Sequence, residues 1–303
     1  MLQVNHLKKY FGSFKAVDDL SFSVHEGDVY GFLGQNGAGK STTIRMLLSL
    51  IKPTSGDIQL FGQSLFEERE YILQRIGAVV EKPDVYKYLS GFENLKLFSK
   101  LSFKSISAHQ LWETLELVGL KERAHDPVRV YSQGMKQRLG IAVALVHNPD
   151  LIILDEPTNG LDPQGIADIR NLILYLSKEK RKTIIVSSHL LSEIEQVADR
   201  MLIIHKGKKV VEGKVVELLN PEKVTLELVT SNNEETLRLI GLSAWSQSVR
   251  SSAHGRIVLD TDPRGVTELN KMLVQQGIGV SSLKSMNSLE AYFLSLTAAH
   301  EVL

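Results

Sequence analysis

The chain has 303 residues and contains no cysteine. Disulfides, thiolate catalysis and cysteine-ligated zinc are therefore excluded, which fits a reducing compartment. It also lacks an excess of charge of either sign, because 35 basic residues balance 35 acidic ones. No bulk electrostatic attraction to nucleic acid or to an acidic membrane follows from such a balance. We therefore expect no nucleic-acid partner.

Long apolar runs are missing as well. No stretch approaches the roughly 18 apolar residues that a membrane-spanning helix needs, and the N-terminal segment MLQVNHLKKYFGSF lacks the apolar core of a signal peptide. With 43% hydrophobic and 23% charged residues, the composition is that of an ordinary soluble globular protein. If the protein serves a membrane, we expect it to do so through a partner.

The apolar pattern predicts an α/β fold with an added domain. Near-continuous apolar runs such as DVYGFLG, LIILDEP and KTIIVSSH indicate buried strands of a mainly parallel sheet within residues 1–220. Residues 85–148 interrupt these strands with leucines at helical spacing, which predicts an inserted helical subdomain. After the turn signal Asn220-Pro221, residues 221–303 alternate strand and helix and predict a small α+β domain, with a split βαβ pair as the candidate arrangement.

The segment GQNGAGKS, Gly34 to Ser41, matches G-x-x-x-x-G-K-[ST] between strand-like VYGFL and helix-like STTIRMLLSLI. Its glycines let backbone N–H groups wrap a phosphate, which side chains would obstruct. Lys40 can reach the β- and γ-phosphates, and Ser41 can offer its hydroxyl to Mg²⁺. A chance match in this chain is on the order of 1%. We therefore prefer a phosphate-binding loop to a glycine-rich turn that only caps a helix.

Two further strand ends carry reactive side chains. LIILDEP ends in Asp155 and Glu156, where a carboxylate beside a phosphate-binding loop can hold Mg²⁺ and the next one can polarise an attacking water. His189 follows the third apolar run, and ligands of open α/β sheets lie beyond the carboxyl ends of strands, so His189 is placed for the γ-phosphate. Taken alone, Asp155 and Glu156 are more simply interpreted as a polar strand end, and His189 as a packed histidine. The preceding loop favours catalysis, with Lys40, Glu156 and His189 as the candidate catalytic residues.

The motifs GQNGAGKST, YSQGM, LIILDEP, NGLD and SSH, in this order and spacing, resemble those of the ATP-binding subunits of ABC transporters over residues 1 to about 220. The resemblance implies a P-loop NTPase fold with ATP and Mg²⁺ as ligands. It also implies ATP hydrolysis that powers transport through a separate transmembrane permease subunit, at the cytoplasmic face of the cell membrane. The family's nucleotide-binding loop corresponds to Gly34, Asn36, Gly37, Gly39, Lys40, Ser41 and Thr42.

YSQGM resembles a variant of the family's Leu-Ser-Gly-Gly-Gln signature, in which Ser132 and Gly134 match and Tyr131, Gln133 and Met135 depart. In that family two subunits pair head to tail, and each signature covers the γ-phosphate that the other chain's loop binds. We therefore expect a homodimer, or a heterodimer with a paralogous subunit, with ATP sandwiched between the two motifs. The simpler alternative is that Ser132 only caps a helix, a contact typically worth about 1 kcal/mol.

Three more positions take roles from the resemblance. Phe11 in KKYFGSF matches the position whose ring stacks on adenine, with Tyr10 as runner-up and a strand-edge aromatic as the simpler interpretation. Asp162 in NGLD resembles the acid that couples the two sites across the dimer. Glu81 stands where the family usually has a glutamine that contacts Mg²⁺ and the attacking water, so it adds negative charge near the phosphates. The candidate metal ligands are Ser41, Glu81 and Asp155.

The C-terminal unit, including its ending SLEAYFLSLT, resembles small extensions of exporter-type ATPases, and Glu81 resembles the glutamate that some drug and peptide-antibiotic exporters carry at this position. We expect it to stabilise a dimer or dock a subunit, and we expect the helical block and the Glu81 loop to dock onto the membrane subunit. A soluble ABC-type nucleotide switch acting on ribosomes or DNA is the alternative. It is less favoured, because ribosome-type relatives carry two cassettes and repair-type relatives carry a long coiled coil, whereas this chain has one cassette and no sustained heptads.

Overall fold

The computed structural model describes residues 1–81, 83–102, 104–219, 224–253 and 255–285. The chain divides into two compact units, Met1–Val215 and Val216–Leu303. The turn signal at residues 220 and 221, where we placed the domain boundary, lies outside the described residues, and so does the ending SLEAYFLSLT at residues 288–297. Among the described helices, none is long and apolar enough to cross a membrane.

The first unit contains two sheets and a set of helices. Its strands are β1 (Leu2–Phe11), β2 (Phe14–Val24), β3 (Val29–Leu33), β4 (Ser55–Leu60), β5 (Gln63–Ser64), β6 (Ile76–Val79), β7 (Leu151–Leu154), β8 (Thr183–Ser188), β9 (Arg200–His205) and β10 (Lys208–Lys214). Its helices are α1 (Lys40–Leu47), α2 (Arg69–Leu73), α3 (Gly91–Ser99), α4 (Ala108–Leu117), α5 (Gln133–Leu145), α6 (Pro163–Lys178) and α7 (Leu191–Val197), and a short helix α8 (Val215–Leu219) follows β10.

The central sheet has the strand order β10-β9-β3-β8-β7-β6. Its strands from β9 to β6 pair in parallel, and β10 joins the edge antiparallel. The strands β3, β7 and β8 are buried along their whole length, which explains why their sequences are apolar without alternation. The predicted mainly parallel sheet is therefore confirmed, and the carboxyl ends of these three strands lie side by side at one edge.

A second sheet of this unit, with the order β2-β1-β4-β5, is antiparallel throughout and goes beyond the predicted parallel sheet. Its strand β1 buries Leu2, Val4 and Leu7 and leaves most of its intervening polar residues exposed, as in a sheet with one covered face. These side chains share one hydrophobic core with Tyr30 and Phe32 of β3. The two sheets are thus packed around a common core.

The predicted helical insertion at residues 85–148 contains α3, α4 and α5. The first two helices begin with capping boxes at Ser90 and Ser107, which satisfy backbone N–H groups that the helix leaves free. Helix α5 packs closely against β6, because a Cβ atom at Gly77 would collide with the carbonyl oxygen of Ala144. A glycine at this position therefore lets the insertion rest on the central sheet.

The second unit has its own sheet and core. Its elements are β11 (Val224–Thr230), α9 (Asn233–Gly241), β12 (Val249–Ala253), β13 (Arg256–Thr261), α10 (Pro263–Gln275) and β14 (Val280–Ser285). The sheet order is β12-β13-β11-β14 with antiparallel pairing throughout, which is the split βαβ arrangement that the sequence suggests. Leu226 and Ile257 of the strands and Leu269 of α10 belong to its separate hydrophobic core.

Candidate active site

The loop at residues 34–39 joins β3 to α1 at the carboxyl edge of the central sheet. Gly37 and Gly39 have φ angles of 81° and 110°, a left-handed conformation that other residues rarely adopt. A Cβ atom on Gly39 would also lie 2.5 Å from the carbonyl oxygen of Ala16. Glycine is therefore required for the tight turn that brings the loop to the start of α1, where the N–H groups of the first turn have no partner within the helix.

Lys40 is the first residue of α1, and its side chain is almost fully buried. Its Nζ atom donates to the carbonyl oxygens of Gly34 and Gln35, at 2.6 and 3.3 Å. The same atom lies 3.0 Å from Oε1 of Glu156, an ion pair whose angles do not make it a hydrogen bond. A buried cation needs such partners. Through them, Lys40 connects the loop to Glu156 at the end of β7.

Glu156 follows β7 and contacts two of the predicted catalytic partners. Its Oε2 atom lies 2.8 Å from Nδ1 of His189, which follows β8, and its Oε1 atom faces Lys40. The φ angle of Glu156 is 50°, a conformation that costs about 1 kcal/mol for a residue with a side chain. Such local strain is found more often at functional sites than elsewhere. The structure thus brings Glu156 into direct contact with both Lys40 and His189.

Ser187 fixes both acids of this edge, although no sequence pattern singles it out beyond its place in SSH. Its hydroxyl donates to Oδ1 of Asp155 at 2.6 Å and accepts the backbone N–H of Glu156 at 2.9 Å. Asp155 is also held by its own N–H, which donates to the carbonyl oxygen of Val79 at 2.8 Å. Both Ser187 and Asp155 are buried, so this hydroxyl sets the orientation of the carboxylate.

A second serine of the same motif ties the neighbouring loop to the sheet. The Oε2 atom of Glu193 in α7 accepts from the hydroxyl of Ser188 at 2.8 Å and from the hydroxyl of Thr158 at 2.7 Å. Thr158 lies in the segment that follows Glu156. Glu193 therefore holds the segment after β7 against the end of β8, which supports the position of Glu156.

The candidate metal ligands come from three elements. Ser41 lies in the first turn of α1, Asp155 follows β7, and Glu81 follows β6 with a φ angle of 60°. The carboxylate of Glu81 is paired with Arg45 of α1. In the part of the chain that the structure describes, no three His, Cys, Asp or Glu side chains are grouped to hold a metal by themselves. A buried carboxylate and a serine hydroxyl do fit Mg²⁺, which is usually bound by one or two carboxylates together with substrate phosphates.

Ser132 and Asp162 make contacts within their own helices. The side chain of Ser132 accepts the N–H of Met135 at 3.2 Å and caps α5, so the simpler interpretation of this serine is present in the structure. The side chain of Asp162 accepts the N–H of Gly165 at 3.0 Å and caps α6. Neither residue is buried. A cap uses one acceptor position of each side chain, so both residues remain open to further contacts with a second molecule.

The aromatic residues of the β1–β2 hairpin differ in how free their rings are. Phe11 is 52% exposed, and Nζ of Lys9 lies 4.9 Å from the centre of its ring. The hydroxyl of Tyr10 donates to Asp18 at 2.6 Å, a bond that raises the pKa of Tyr10 and lowers the pKa of Asp18. Phe14, opposite Phe11 in the hairpin, is 62% exposed. Phe11 is therefore freer than Tyr10 to stack on a ligand, and Phe14 is a further exposed ring.

Comparisons with known proteins agree with this geometry. The family model described as "ABC transporter" matches residues 17–159. The bacitracin transport ATP-binding protein BcrA of Bacillus licheniformis is 45% identical over 302 residues, which cover 98% of this chain and 97% of that protein. The lantibiotic transport ATP-binding protein SrtF of Streptococcus pyogenes is 41% identical over 215 residues, covering 70% of this chain and 90% of the relative.

A solved structure extends the match to three dimensions. The dimeric ATP-binding cassette MJ0796, in a post-hydrolysis state bound to ADP and Pi, is similar with a TM-score of 0.64 and 26% identity. The match covers 71% of this chain and 99% of that one. The predicted family and fold are thereby confirmed. This chain belongs to the ABC transporter family, as an ATP-binding subunit that hydrolyses ATP to drive transport through a separate membrane partner.

Proposed function

We propose that this chain powers the export of a peptide antibiotic, or of a compound of similar chemistry, from the cytoplasmic face of the membrane. The proposal is supported by two relatives whose names state transport of bacitracin and of lantibiotics, one of which matches this chain over nearly its whole length. The same similarity favours a transporter over a nucleotide switch on ribosomes or DNA. The single observation that carries the catalytic part is that Glu156 contacts both Lys40 and His189 at one sheet edge.

The roles of these three side chains follow from their contacts. Lys40 carries a buried positive charge at the mouth of the loop, where it stabilises the negative charge of the β- and γ-phosphates. Glu156 is the group that takes up or orients the proton of the attacking water. His189 holds the Glu156 carboxylate through Nδ1 and faces the γ-phosphate with the rest of its ring. When ATP binds, its phosphates replace Glu156 as the partner of Lys40. The Oε1 atom of Glu156 is then available to contact water.

Ser41, Asp155 and Glu81 would hold Mg²⁺. When bound there, the ion neutralises charge on the β- and γ-phosphate oxygens. Asp155 is prepared for this role by Ser187, which fixes one carboxylate oxygen by a hydrogen bond. Phe11 is the exposed ring proposed to stack on adenine.

Two copies of the chain, or this chain and a paralogous one, complete the site. Ser132 and the backbone around Gly134 of one copy would cover the γ-phosphate bound by the other. Around Gly134 in the first turn of α5, the atoms nearest to an added Cβ, outside the backbone of its own helix, are 4.0 Å away. Asp162 would couple the two sites. Loss of the γ-phosphate removes the contact that joins the copies, so ATP and ADP favour different states of the dimer.

Complementation in the chain's own host tests the proposal. Cells that lack the chain should become more sensitive to bacitracin or to a lantibiotic, and the wild-type gene should restore resistance. The Glu156→Gln variant should fail to restore it, because hydrolysis is lost while the fold is kept. Glu179→Gln, the same change at an exposed residue after α6, is the matched control and should restore resistance. Full complementation by Glu156→Gln would overturn the proposal, and so would unchanged sensitivity in cells without the chain.

A further inference from the structure

The side chain of Glu81 forms an ion pair with Arg45, which lies on a different element. Arg45 belongs to the last turn of α1, the helix that follows the phosphate-binding loop. Glu81 leaves β6 in the left-handed conformation, with a φ angle of 60°. The loop after β6 is thereby connected to α1 by a pair of opposite charges.

The pair connects α1, the helix that carries Ser41, to the loop that begins beside Asp155. Arg45 comes four residues after Ser41, so the two side chains project from the same face of α1. The loop of Glu81 begins beside Asp155, because the N–H of Asp155 donates to the carbonyl oxygen of Val79 at 2.8 Å. Arg45 therefore pairs with Glu81, the candidate metal ligand that is a carboxylate here and usually a glutamine in the family.

The loop is also held from its other side. A Cβ atom at Gly140 of α5 would lie 2.5 Å from the Cβ atom of Pro83, so Pro83 packs closely on α5. The partner that the structure gives the Glu81 carboxylate is Arg45. The side chains of Arg45 and Glu81 are 40% and 62% exposed, so the pair contributes little to folding stability. We expect the pair to act instead on the net charge of the candidate metal site.

We propose that Arg45 is a positioning residue for Glu81, and that it cancels the negative charge which a glutamate in place of the usual glutamine brings near the ATP phosphates. The inference rests on the proposed place of Glu81 in the metal site. With Arg45 present, Glu81 adds no net charge when ATP binds without Mg²⁺. Without Arg45, the unpaired carboxylate of Glu81 repels the ATP phosphates, and bound Mg²⁺ would reduce this repulsion.

A double-mutant cycle on the full chain tests this inference, with the dissociation constant of ATP measured by calorimetry in EDTA and in Mg²⁺. In EDTA, Arg45→Met should raise the constant about three- to tenfold, the range for one unpaired charge acting through a partly aqueous path. The double variant with Arg45→Met and Glu81→Gln removes both charges and should bind ATP within about twofold of the wild type in EDTA, because the neutral pair has the same net charge as the ion pair. With Mg²⁺ the effect of Arg45→Met should shrink.

Two further variants separate positioning from a general effect. Arg45→Lys keeps the charge and should bind ATP within about twofold of the wild type in EDTA. Arg250→Met removes an arginine that pairs with Asp260 in the second unit, and should leave ATP binding unchanged. A double variant that binds ATP as weakly as Arg45→Met alone would overturn the inference, and so would the absence of an effect of Arg45→Met in the otherwise wild-type chain. Because EDTA binding needs no hydrolysis, the result stands apart from the catalytic roles proposed above.

Discussion

The Nζ atom of Lys40 lies 3.0 Å from Oε1 of Glu156, although Lys40 begins α1 and Glu156 follows β7. The proposed base and the proposed phosphate-binding cation are thus partners of each other. Since both are largely buried, neither can lose its partner without gaining another. We expect the γ-phosphate to replace Glu156 at Lys40, which links the arrival of substrate to the release of the base.

The exposed ring of Phe11 leads to a prediction on affinity. Phe11→Ala should raise the dissociation constant of ATP about three- to tenfold, because a stacked ring pair contributes on the order of 1 kcal/mol. Phe14→Ala, the same change across the hairpin, should alter it less than about twofold. Fluorescence titration with a labelled ATP analogue measures both. A larger loss in Phe14→Ala would assign the adenine contact to the other ring.

Ser187 leads to a prediction on turnover. Ser187→Ala removes the donor to Asp155 and the acceptor of the Glu156 N–H, so ATP hydrolysis should fall by about tenfold or more while ATP binding in EDTA stays within about twofold. Ser177→Ala is the matched control, since Ser177 makes a long bond of 3.5 Å to Gly27. Unchanged steady-state hydrolysis in Ser187→Ala would remove this hydroxyl from the site.

Mixing two inactive variants tests whether the signature acts across a dimer. Lys40→Ala and Ser132→Arg each break both sites of a homodimer, so each should be nearly inactive. In the mixed dimer both lesions fall in one composite site, and the other site has an intact loop and an intact Ser132. Hydrolysis should therefore recover in the mixture, measured across mixing ratios with heterodimer formation confirmed separately. A signature that acts on its own chain's ATP predicts no recovery at any ratio.

His147 leads to a prediction on stability against pH. Burial lowers the pKa of His147, whose Nε2 atom lies 3.1 Å from the carbonyl oxygen of Ile76. The folded chain then binds the proton less well than the unfolded chain, whose pKa is about 6.5. Stability should fall as the pH drops through that value and level off below the folded pKa. Urea unfolding near pH 7.5 and pH 5.5 should show a smaller loss in His147→Gln than in the wild type, and equal losses would contradict the assignment.

The sequence was a sufficient guide to the fold wherever the signal is local. The apolar runs of β3, β7 and β8 and the leucine spacing of the helical block predict the parallel sheet and its insertion, and both are confirmed. The antiparallel sheet around β1 escaped prediction, because β1 pairs with β4 across a long separation that no periodicity reveals. Strand β12, with the polar sequence VRSSA, carries no apolar pattern at all.

In the candidate site too, the local motifs could be predicted from the sequence and the long-range contacts could not. Strand order brings Lys40, Glu156 and His189 to one edge, which is why a sequence pattern could group them, and their roles stay predictions. Ser187 and Arg45 were missed because their importance lies in contacts with residues far away in the chain. A serine in a strand and an arginine in a helix carry no local mark of such contacts.

Glu156 carries the central claim, and replacing it by glutamine tests that claim most directly. The amide keeps the shape of the side chain but cannot accept a proton from water. We predict that Glu156→Gln binds ATP, loses nearly all hydrolysis, and elutes as a dimer from a sizing column run with ATP while Glu179→Gln behaves as the wild type. Wild-type turnover by Glu156→Gln would contradict the account.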